Sequence, residues 1–321
     1  MNIGIVTPAP PRSRYGNRVT ALRWARILRG LGHRVRVTQA YEAEPYDLLI
    51  ALHARRSYAS VSRFHRAYPD RPLVVALTGT DLYHDLPRSR RAQKSLELAT
   101  RLIVLQPKAA EELKPRLRDK VQVIYQSVPA RPKTKQLVAG TRRKRRSFDV
   151  CVVGHLRPVK DPFRAALAAR RLPPSSRVRI LHLGAAMDEG MAARARAEMS
   201  LNSRYRWLGE QPRSRVRQIL ARSALCVLSS KLEGGANVVS EAIVAGVPLL
   251  ASRIAGSVGL LGETYPGYFN IGDTEALAQL LNRAETDRAF LTELTRHCAR
   301  LAPFFHPSRE RAAWLRLLKE L

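Results

Sequence analysis

Residues 229–243 read SSKLEGGANVVSEAI, and an apolar run at residues 224–228 precedes them. The apolar run predicts a buried parallel strand, and the segment from Asn237 predicts a helix, because asparagine is a favourable residue at a helix start. The unpaired amides of a helix start, together with the helix dipole, attract anions. Glu233 lies before the helix and Glu241 about one turn inside it, so we expect both carboxylates to face one ligand site.

Two glycines, Gly234 and Gly235, stand between the predicted strand and the predicted helix. Glycine lets the backbone approach a ligand where a side chain would block it. A pair of glutamates near any helix start could also be solvated surface carboxylates. The strand before the loop and the glycines within it favour a ligand site over that ordinary explanation.

The rest of the chain alternates short apolar strands with amphipathic helices, one of them at residues 107–117, which predicts an α/β fold built on parallel sheets. A chain of 321 residues is long enough for two domains. One interior stretch loses this periodicity and collects proline, lysine and arginine, which predicts a linker. We expect an N-terminal domain at residues 1–130, a basic linker at 131–147, a second domain at 148–303 and a last helix at 304–321 that returns to the first domain.

The first predicted strand, residues 2–7, runs into a proline-containing loop that precedes a helix. Ligands gather at the carboxyl ends of parallel strands, so Gly16 and Asn17 fall at a predicted ligand-binding edge. Three arginines surround this edge with positive charge, namely Arg12, Arg14 and Arg18.

A polar turn follows the predicted strand at residues 73–77. Its side chains Thr78, Thr80 and Asp81 stand at another carboxyl end and can line an acceptor pocket. Threonine and aspartate also cap helices, and the sequence leaves both interpretations open.

Residues 154–162 read GHLRPVKDP and follow a predicted strand at residues 149–153. Arg157 and Lys160 project from this loop, where they can bind an anion or serve as ordinary surface charges. Asp161 and Pro162 predict the N-cap and the first residue of a helix.

The formal net charge is +30, and the concentrated basic run is RRKRR at residues 142–146. No helix-turn-helix, zinc-finger or aromatic-studded motif accompanies the basic residues, which favours a solvated arginine-rich surface over a nucleic-acid site. The cysteines Cys151, Cys226 and Cys298 match no metal or redox spacing. No apolar run approaches the ~20 residues of a membrane span, and no basic leader opens the sequence. We therefore expect a cytoplasmic protein.

The two glutamates, eight positions apart, resemble the motif of retaining-type nucleotide-sugar glycosyltransferases of the GT-B architecture, in which two Rossmann-like parallel-sheet domains face a cleft. The resemblance implies that Glu233 contacts the transferred sugar and Glu241 binds the ribose hydroxyls. It implies that Glu233, Lys160 and Arg157 carry catalysis. His155 stands where the family has arginine, and we expect Arg157 to compensate. The other implied donor-binding residues are Gly154, Gly234, Gly235, Ala236, Asn237 and Val238.

Four motifs together, at residues 7–18, 77–83, 154–162 and 233–241, resemble the selenosugar synthases of bacterial selenoneine biosynthesis, a divergent branch of these glycosyltransferases. The resemblance implies transfer of a sugar from a UDP-N-acetylglucosamine or UDP-glucose type donor to selenophosphate, which forms a carbon–selenium bond and a 1-selenosugar. The implied acceptor-binding residues are Arg14, Gly16, Asn17, Arg18, Thr78, Thr80 and Asp81.

We expect no cofactor and no metal, since no Asp-X-Asp pair occurs in the sequence and basic side chains with a helix start can neutralise the leaving diphosphate. Two other functions remain open. One is a glycosyltransferase of the same fold with a hydroxyl acceptor, a lipid or an oligosaccharide, which requires a catalytic base. The other is a non-enzymatic polyanion-binding protein, which only the charge suggests.

Overall fold

The computed structural model describes residues 1–13, 15–129 and 147–321. Arg14 and the linker residues 131–146 lie outside the described residues. Residue contacts divide the chain into two compact units. The first unit comprises Met1–Ser127, Leu232–Asn237 and Pro307–Leu321, and the second comprises Val128–Lys231 and Val238–His306.

The first unit contains a six-stranded parallel sheet in the order β2-β1-β3-β4-β5-β6. Its strands are β1 Asn2–Val6, β2 Arg34–Thr38, β3 Leu48–Leu52, β4 Leu73–Leu77, β5 Arg101–Val104 and β6 Val121–Val123. Every residue of β3 and β4 is buried, as expected of central parallel strands that helices cover on both faces.

Helices cover both faces of this first sheet. They are α1 Gly16–Arg29, α2 Tyr58–Ala67, α3 Arg90–Leu98, α4 Pro115–Arg118 and, from the C-terminal end of the chain, α12 Pro307–Lys319. Trp24 of α1 packs edge-to-face on Trp314 of α12, with ring centroids 5.1 Å apart, and both rings are fully buried. The last helix is therefore part of the hydrophobic core of the first unit.

The second unit contains another six-stranded parallel sheet, in the order β12-β11-β10-β7-β8-β9. Its strands are β7 Phe148–Val153, β8 Val178–Leu183, β9 Tyr205–Trp207, β10 Leu225–Leu228, β11 Leu249–Ser252 and β12 Tyr268–Phe269. Its helices are α5 Arg164–Ala169, α6 Glu189–Leu201, α7 Arg213–Arg222, α8 Asn237–Val244, α9 Ala255–Leu261, α10 Thr274–Thr286 and α11 Arg288–Leu301. The α/β fold with two Rossmann-like parallel sheets, predicted from the alternating pattern, is confirmed.

Each sheet has one point where the strand order reverses, between β1 and β3 in the first unit and between β7 and β10 in the second. Loops that leave the carboxyl ends of two neighbouring strands diverge at such a point and open a crevice for ligands. In the first unit these loops include residues 7–13 and 53–57, and after the strands of the second unit they are residues 154–163 and 229–236.

Two local predictions were wrong. The helix expected at residues 107–117 is a 3-10 turn, Pro107–Ala110, followed by the short helix α4. Pro115 has no amide proton, and the residue before it, Lys114, has ψ 141°, which is incompatible with a continuous helix.

Asp161 is not a helix N-cap, and Pro162 is not the first residue of a helix. Asp161 has φ 43° and ψ 57°, in the left-handed region, and α5 begins only at Arg164. The Asp161 carboxylate accepts a hydrogen bond from Nε of Arg164 at 2.8 Å. An N-cap residue has extended backbone, so the left-handed conformation of Asp161 excludes the capping role.

Candidate functional site

In the second unit, hydrogen bonds connect the loop after β7 to the segment after β10. The Ser229 hydroxyl donates to the carbonyls of Lys160 at 3.2 Å and Asp161 at 2.9 Å. The Lys231 amide donates to the Val159 carbonyl at 2.9 Å. These bonds join the two loops at the strand-order reversal and fix the backbone that carries Lys160.

Two histidines of the second unit hold the first turn of this loop. His182 is fully buried, its Nε2 lies 3.1 Å from the Gly154 carbonyl and its Nδ1 lies 2.9 Å from the Tyr205 hydroxyl. Burial lowers the pKa of His182 to about 4. At neutral pH the ring is uncharged and donates its proton to Gly154, which orients the turn that precedes His155.

His155 itself is neutral for a related reason. Burial lowers its pKa, and the nearby Arg157 guanidinium lowers it further. Its Nδ1 accepts a hydrogen bond from the Ala185 amide at 3.1 Å, so the proton of the neutral ring is on Nε2. His155 can therefore donate one hydrogen bond to an anion but does not supply a positive charge at pH 7.

The cations of this loop are Arg157 and Lys160. Arg157 precedes the 3-10 turn Pro158–Lys160, and its Nε is buried without a hydrogen-bond partner in the described part of the chain. A buried donor without a partner is costly unless a ligand satisfies it. Arg157 thus has a donor that a ligand can satisfy, and its role as the charge that compensates for His155 stays a prediction.

Glu241 lies on α8, and its side chain is only 12% exposed. Its Oε1 accepts a hydrogen bond from Nη2 of Arg213 at 3.2 Å. Arg213 is half-exposed, so it can move away at little cost when a ligand competes for the carboxylate. This ion pair was not predicted.

The glycine segment, Leu232–Asn237, packs with the first unit. A Cβ atom on Gly234 would lie 2.5 Å from the carbonyl of Thr78, and one on Gly235 would lie 2.6 Å from Cβ of Leu105. Gly79 has φ 136°, and a Cβ there would lie 2.7 Å from the amide nitrogen of Gly234. The glycines therefore allow close packing between two segments of backbone, a use that the sequence analysis did not foresee.

A buried polar network also holds this segment within the first unit. Nη1 of Arg23 donates to Oδ1 of Asn237 at 3.1 Å, and Nε2 of Gln126 donates to the Gly235 carbonyl at 2.6 Å. Arg23 in turn donates to Oε1 of Glu310 at 3.1 Å. The helix α8 begins at Asn237 as predicted, and the Asn237 side chain receives a bond from α1.

Glu310 is the anionic centre of that network and is 2% exposed. Besides Arg23, its carboxylate accepts hydrogen bonds from Nε1 of Trp24 at 2.8 Å, from the Ser127 amide at 2.9 Å and from the Ser127 hydroxyl. Trp24 and Arg23 are neighbours on α1, and Glu310 is on α12. The two helices thereby position the glycine segment.

The start of α1 is open to an anion. Helix α1 begins at Gly16, has no acidic residue in its first turn, and its N-cap residue Tyr15 makes no side-chain capping bond. A Cβ on Gly16 would have no atom within 4 Å, and Nε of Arg18 is buried without a hydrogen-bond partner among the described residues. Gly16, Asn17 and Arg18 thus lie together at the predicted edge. The predicted Arg14 lies outside the described residues.

The polar turn after β4 has an internal role for Asp81. Its fully buried carboxylate accepts hydrogen bonds from the amides of Ala54 at 3.0 Å, Thr78 at 2.9 Å and Gly79 at 2.8 Å. Asp81 therefore shapes the turn, but not as a helix cap: its donors precede it in the chain, and the N-cap residue of the following turn, Thr80, makes no side-chain capping bond. Thr78 is half-buried and Thr80 is exposed. Oγ1 of Thr80 lies 3.2 Å from Nε2 of His53.

His53 was not predicted. It follows β3, has φ 73°, and is 2% exposed. Burial lowers its pKa, and its Nε2 lies 3.8 Å from Oδ2 of Asp85. Its position directly after a central strand was a sequence signal that could have identified it. Arg23, Glu310 and Arg213 gave no such signal, because their partners are distant in sequence.

No group of three or more His, Cys, Asp or Glu residues within residues 1–13, 15–129 and 147–321 is arranged to hold a metal ion. Metal independence stays a prediction. In the same ranges no helix has the length and apolar character that a bilayer crossing requires.

Comparison with known proteins agrees with this architecture. The model of a family described as glycosyl transferases group 1 matches residues 134–302. The UDP-Gal:alpha-D-GlcNAc-diphosphoundecaprenol alpha-1,3-galactosyltransferase of Escherichia coli is 30% identical over 161 residues, which make up 48% of this chain and 41% of that protein. The aligned region thus spans less than half of the length of this curated relative.

Solved structures share the fold at low sequence identity. HepE from Anabaena, solved in complex with UDP and glucose, superposes with a TM-score of 0.77 at 18% identity over 100% of both chains. Sucrose-phosphate synthase from Thermosynechococcus elongatus superposes with a TM-score of 0.76 at 15% identity, covering 99% of this chain and 98% of that one. These similarities establish the GT-B type of fold.

Proposed function

The chain belongs to the glycosyl transferases group 1, and from that premise we propose that this glycosyltransferase uses a UDP-sugar as donor and selenophosphate as acceptor. The donor part of the proposal is supported by the family match and by a structural neighbour, HepE, which was solved in complex with UDP and glucose. The acceptor part is supported by the whole-chain motif resemblance and by the chemistry of the first unit.

On the donor side, Glu241 receives the ribose hydroxyls and displaces the half-exposed Arg213. The diphosphate lies against Lys160, against the unpartnered Nε of Arg157 and against the neutral Nε2–H of His155. Two cations and fixed hydrogen-bond donors stabilise the negative charge that develops on the leaving group.

On the acceptor side, one observation carries the proposal. The start of α1 has free amides, no acidic side chain in its first turn, and Arg18 with a buried Nε that lacks a partner in the described chain. A small dianion satisfies these donors, whereas a neutral alcohol does not supply the charge that they attract.

The chemistry needs no catalytic base. Selenophosphate is already anionic, and its selenium attacks the anomeric carbon as the carbon–oxygen bond to UDP breaks. The electron pair of that bond leaves with UDP, and later hydrolysis of the selenium–phosphorus bond gives the 1-selenosugar and phosphate. Asp81, the predicted carboxylate of this turn, accepts three backbone bonds and is not positioned as a base.

The test is incubation of the protein with UDP-N-acetylglucosamine or UDP-glucose and selenophosphate, with release of UDP as the readout. We expect UDP release only when selenophosphate is present. Thiophosphate, with similar charge and shape but a less nucleophilic sulfur, should compete and react more slowly. Absence of turnover with selenophosphate, together with turnover on a lipid or sugar alcohol, would refute the acceptor assignment and leave the glycosyltransferase assignment intact.

Substitutions locate the acceptor site. Arg18→Ala and Thr78→Ala should raise the KM for selenophosphate about tenfold or more with little change in the KM for the donor, because each removes a charge-assisted or neutral hydrogen bond to the acceptor. Arg26→Ala is the matched control, since Arg26 is an exposed arginine near the end of the same helix. Unchanged acceptor kinetics in both Arg18→Ala and Thr78→Ala would show that the pocket is misplaced.

A second candidate function is supported by a specific observation. The E. coli relative is named for transfer to alpha-D-GlcNAc-diphosphoundecaprenol, an acceptor that reacts through a hydroxyl group. A hydroxyl acceptor needs a base. Nδ1 of His53 accepts a hydrogen bond from the Arg56 amide at 3.3 Å, so the neutral ring carries its proton on Nε2 beside Thr80 and Asp85 and donates at that atom. Release of UDP with a lipid or sugar alcohol in place of selenophosphate is the test that discriminates between the two functions.

A further inference from the structure

The first unit carries a cleft of about 480 Å³ on its α2 side that the proposed reaction does not use. Five of the eight residues that line it are arginines, and none is acidic. Arg55 and Arg56 come from the turn after β3, Arg63 and Arg66 from α2, and Arg91 from the first turn of α3. We call this feature the arginine cleft.

Most of the charge in the arginine cleft is not neutralised by the protein. Arg55 pairs with Asp85 at 3.0 Å, and Nη1 of Arg63 donates to the Tyr41 carbonyl at 2.9 Å. Within the described residues, Arg56, Arg66 and Arg91 form no ion pair. Several guanidinium groups that converge on one concavity repel one another, so the arrangement favours an anion that bridges them.

The shape and chemistry of the cleft indicate the class of anion. Guanidinium groups bind phosphate oxygens in a bidentate manner, and a volume of this size exceeds that of a single phosphate ion. Tyr58 and Ala59 provide a small apolar wall. We propose that the arginine cleft binds a soluble compound that carries two or more linked phosphate groups.

The proposal is independent of the donor and acceptor assignments, because none of the five arginines belongs to those sites. The alternative explanation is a diffuse basic surface, since the whole chain has a net charge of +30. A second alternative is the headgroup layer of an acidic lipid membrane, which presents phosphate at a surface instead of a compact cluster. The experiment separates these possibilities.

The experiment is calorimetric titration of the whole chain with tripolyphosphate, pyrophosphate and inorganic phosphate at physiological salt, in the presence of saturating UDP so that the proposed donor site does not contribute. We expect saturable 1:1 binding of tripolyphosphate, with affinity falling in that order. Arg66→Gln with Arg91→Gln should weaken tripolyphosphate binding at least about tenfold, because two charge-assisted contacts are lost. The control pair, Arg296→Gln with Arg300→Gln on α11, removes the same charge from exposed positions outside the cleft and should change the affinity less than about twofold.

Three outcomes would overturn the proposal. The first is equal weakening in the cleft pair and the control pair, which indicates diffuse charge. The second is binding that survives the cleft substitutions but disappears in Lys160→Ala, which places the phosphate at the donor loop. The third is the absence of saturable tripolyphosphate binding combined with cosedimentation on phosphatidylglycerol vesicles that the cleft pair abolishes, which indicates a lipid surface. Thermal melting of each variant checks that the exposed substitutions leave the fold intact.

Discussion

Removing the carboxylate of Glu310 should destabilise the first unit strongly. Glu310 accepts from four donors: Nε of Arg23, Nε1 of Trp24, and the amide and hydroxyl of Ser127. Glu310→Ala leaves a cation that is 7% exposed without its counter-ion. Breaking a buried ion pair from one side costs about 3–5 kcal/mol, because the remaining charge stays desolvated.

The assay is urea unfolding followed by tryptophan fluorescence. Two of the three tryptophans, Trp24 and Trp314, lie in the core of the first unit, so the signal reports mainly on that unit. With a urea dependence of ~2 kcal/mol per molar, the expected loss lowers the midpoint by roughly 1.5–2.5 M. Glu310→Gln, which keeps part of the hydrogen bonding, should lie between Glu310→Ala and the unmodified protein.

The matched control is Glu320→Gln, near the C-terminal end of the same segment. Glu320 forms an ion pair with Arg101 at 3.4 Å, but its side chain is 52% exposed. Exposed ion pairs contribute only about 0–1 kcal/mol, so this variant should unfold almost as the unmodified protein does. If Glu310→Ala shifted the midpoint no further than Glu320→Gln, the assignment of Glu310 as the electrostatic centre of the network would be refuted.

Four further outcomes are expected. Glu241→Ala should weaken UDP binding by about 1.5–3 kcal/mol in a calorimetric titration without a change in thermal melting, since it removes charge-assisted bonds to ligand and only a half-exposed partner, Arg213; an unaltered affinity contradicts the ribose assignment. Chelation should leave turnover intact whereas Lys160→Ala should reduce it heavily; activity that a chelator abolishes and magnesium restores would count against this charge arrangement. Burial lowers the folded-state pKa of His182 from 6.5 to about 4, so the unfolded chain binds the additional proton and stability falls as the pH falls below 6.5. Between pH 7 and pH 5 this amounts to about 2 kcal/mol, and urea unfolding of His182→Gln should show a smaller pH dependence; an equal slope rules out this origin. DNA binding should be weak, independent of sequence and lost steeply between low and physiological salt in a filter-binding assay; nanomolar binding of one sequence at physiological salt contradicts that expectation.

In each unit, candidate site residues lie on loops at the reversal of strand order. In the second unit, three hydrogen bonds, two from the Ser229 hydroxyl and one from the Lys231 amide, connect these residues to the loop that carries Lys160. In the first unit, the open start of α1 follows β1 and His53 follows β3. The position of each group is set by its strand, and its chemical role is set by what surrounds it.

The neutral state of His155 has a defined electrostatic consequence. A buried neutral imidazole donates a hydrogen bond but no charge, so the loop retains Arg157 and Lys160 as its cations. Arg157→Gln and His155→Arg, combined, are therefore expected to compensate one another better than either change alone. The expectation that Arg157 compensates for His155 comes from the family resemblance of this loop.

Local pattern was sufficient for the strands and most helices. The buried strand at Leu225–Leu228, the helix from Asn237 and the helix Arg213–Arg222 follow from hydrophobic periodicity and residue preference over a few neighbours. The same local information placed the predicted site residues at the carboxyl ends of their strands, since strand–loop–helix order alone defines those ends. It failed at Asp161, whose left-handed backbone is incompatible with a helix N-cap.

Tertiary structure decided which of those residues have partners within the protein. Arg23 and Glu310 are 287 positions apart, and Gln126 and Gly235 are 109 apart, so no local pattern connects them. Gly234 and Gly235 are required by the backbone of Thr78 and by Leu105, which is visible only when the chain is folded. The arginine cleft likewise forms from α2 and α3 together. Residue preference acts between neighbours in sequence, whereas burial, desolvation and charge pairing act between neighbours in space, and these set the charge state and the accessibility of each group.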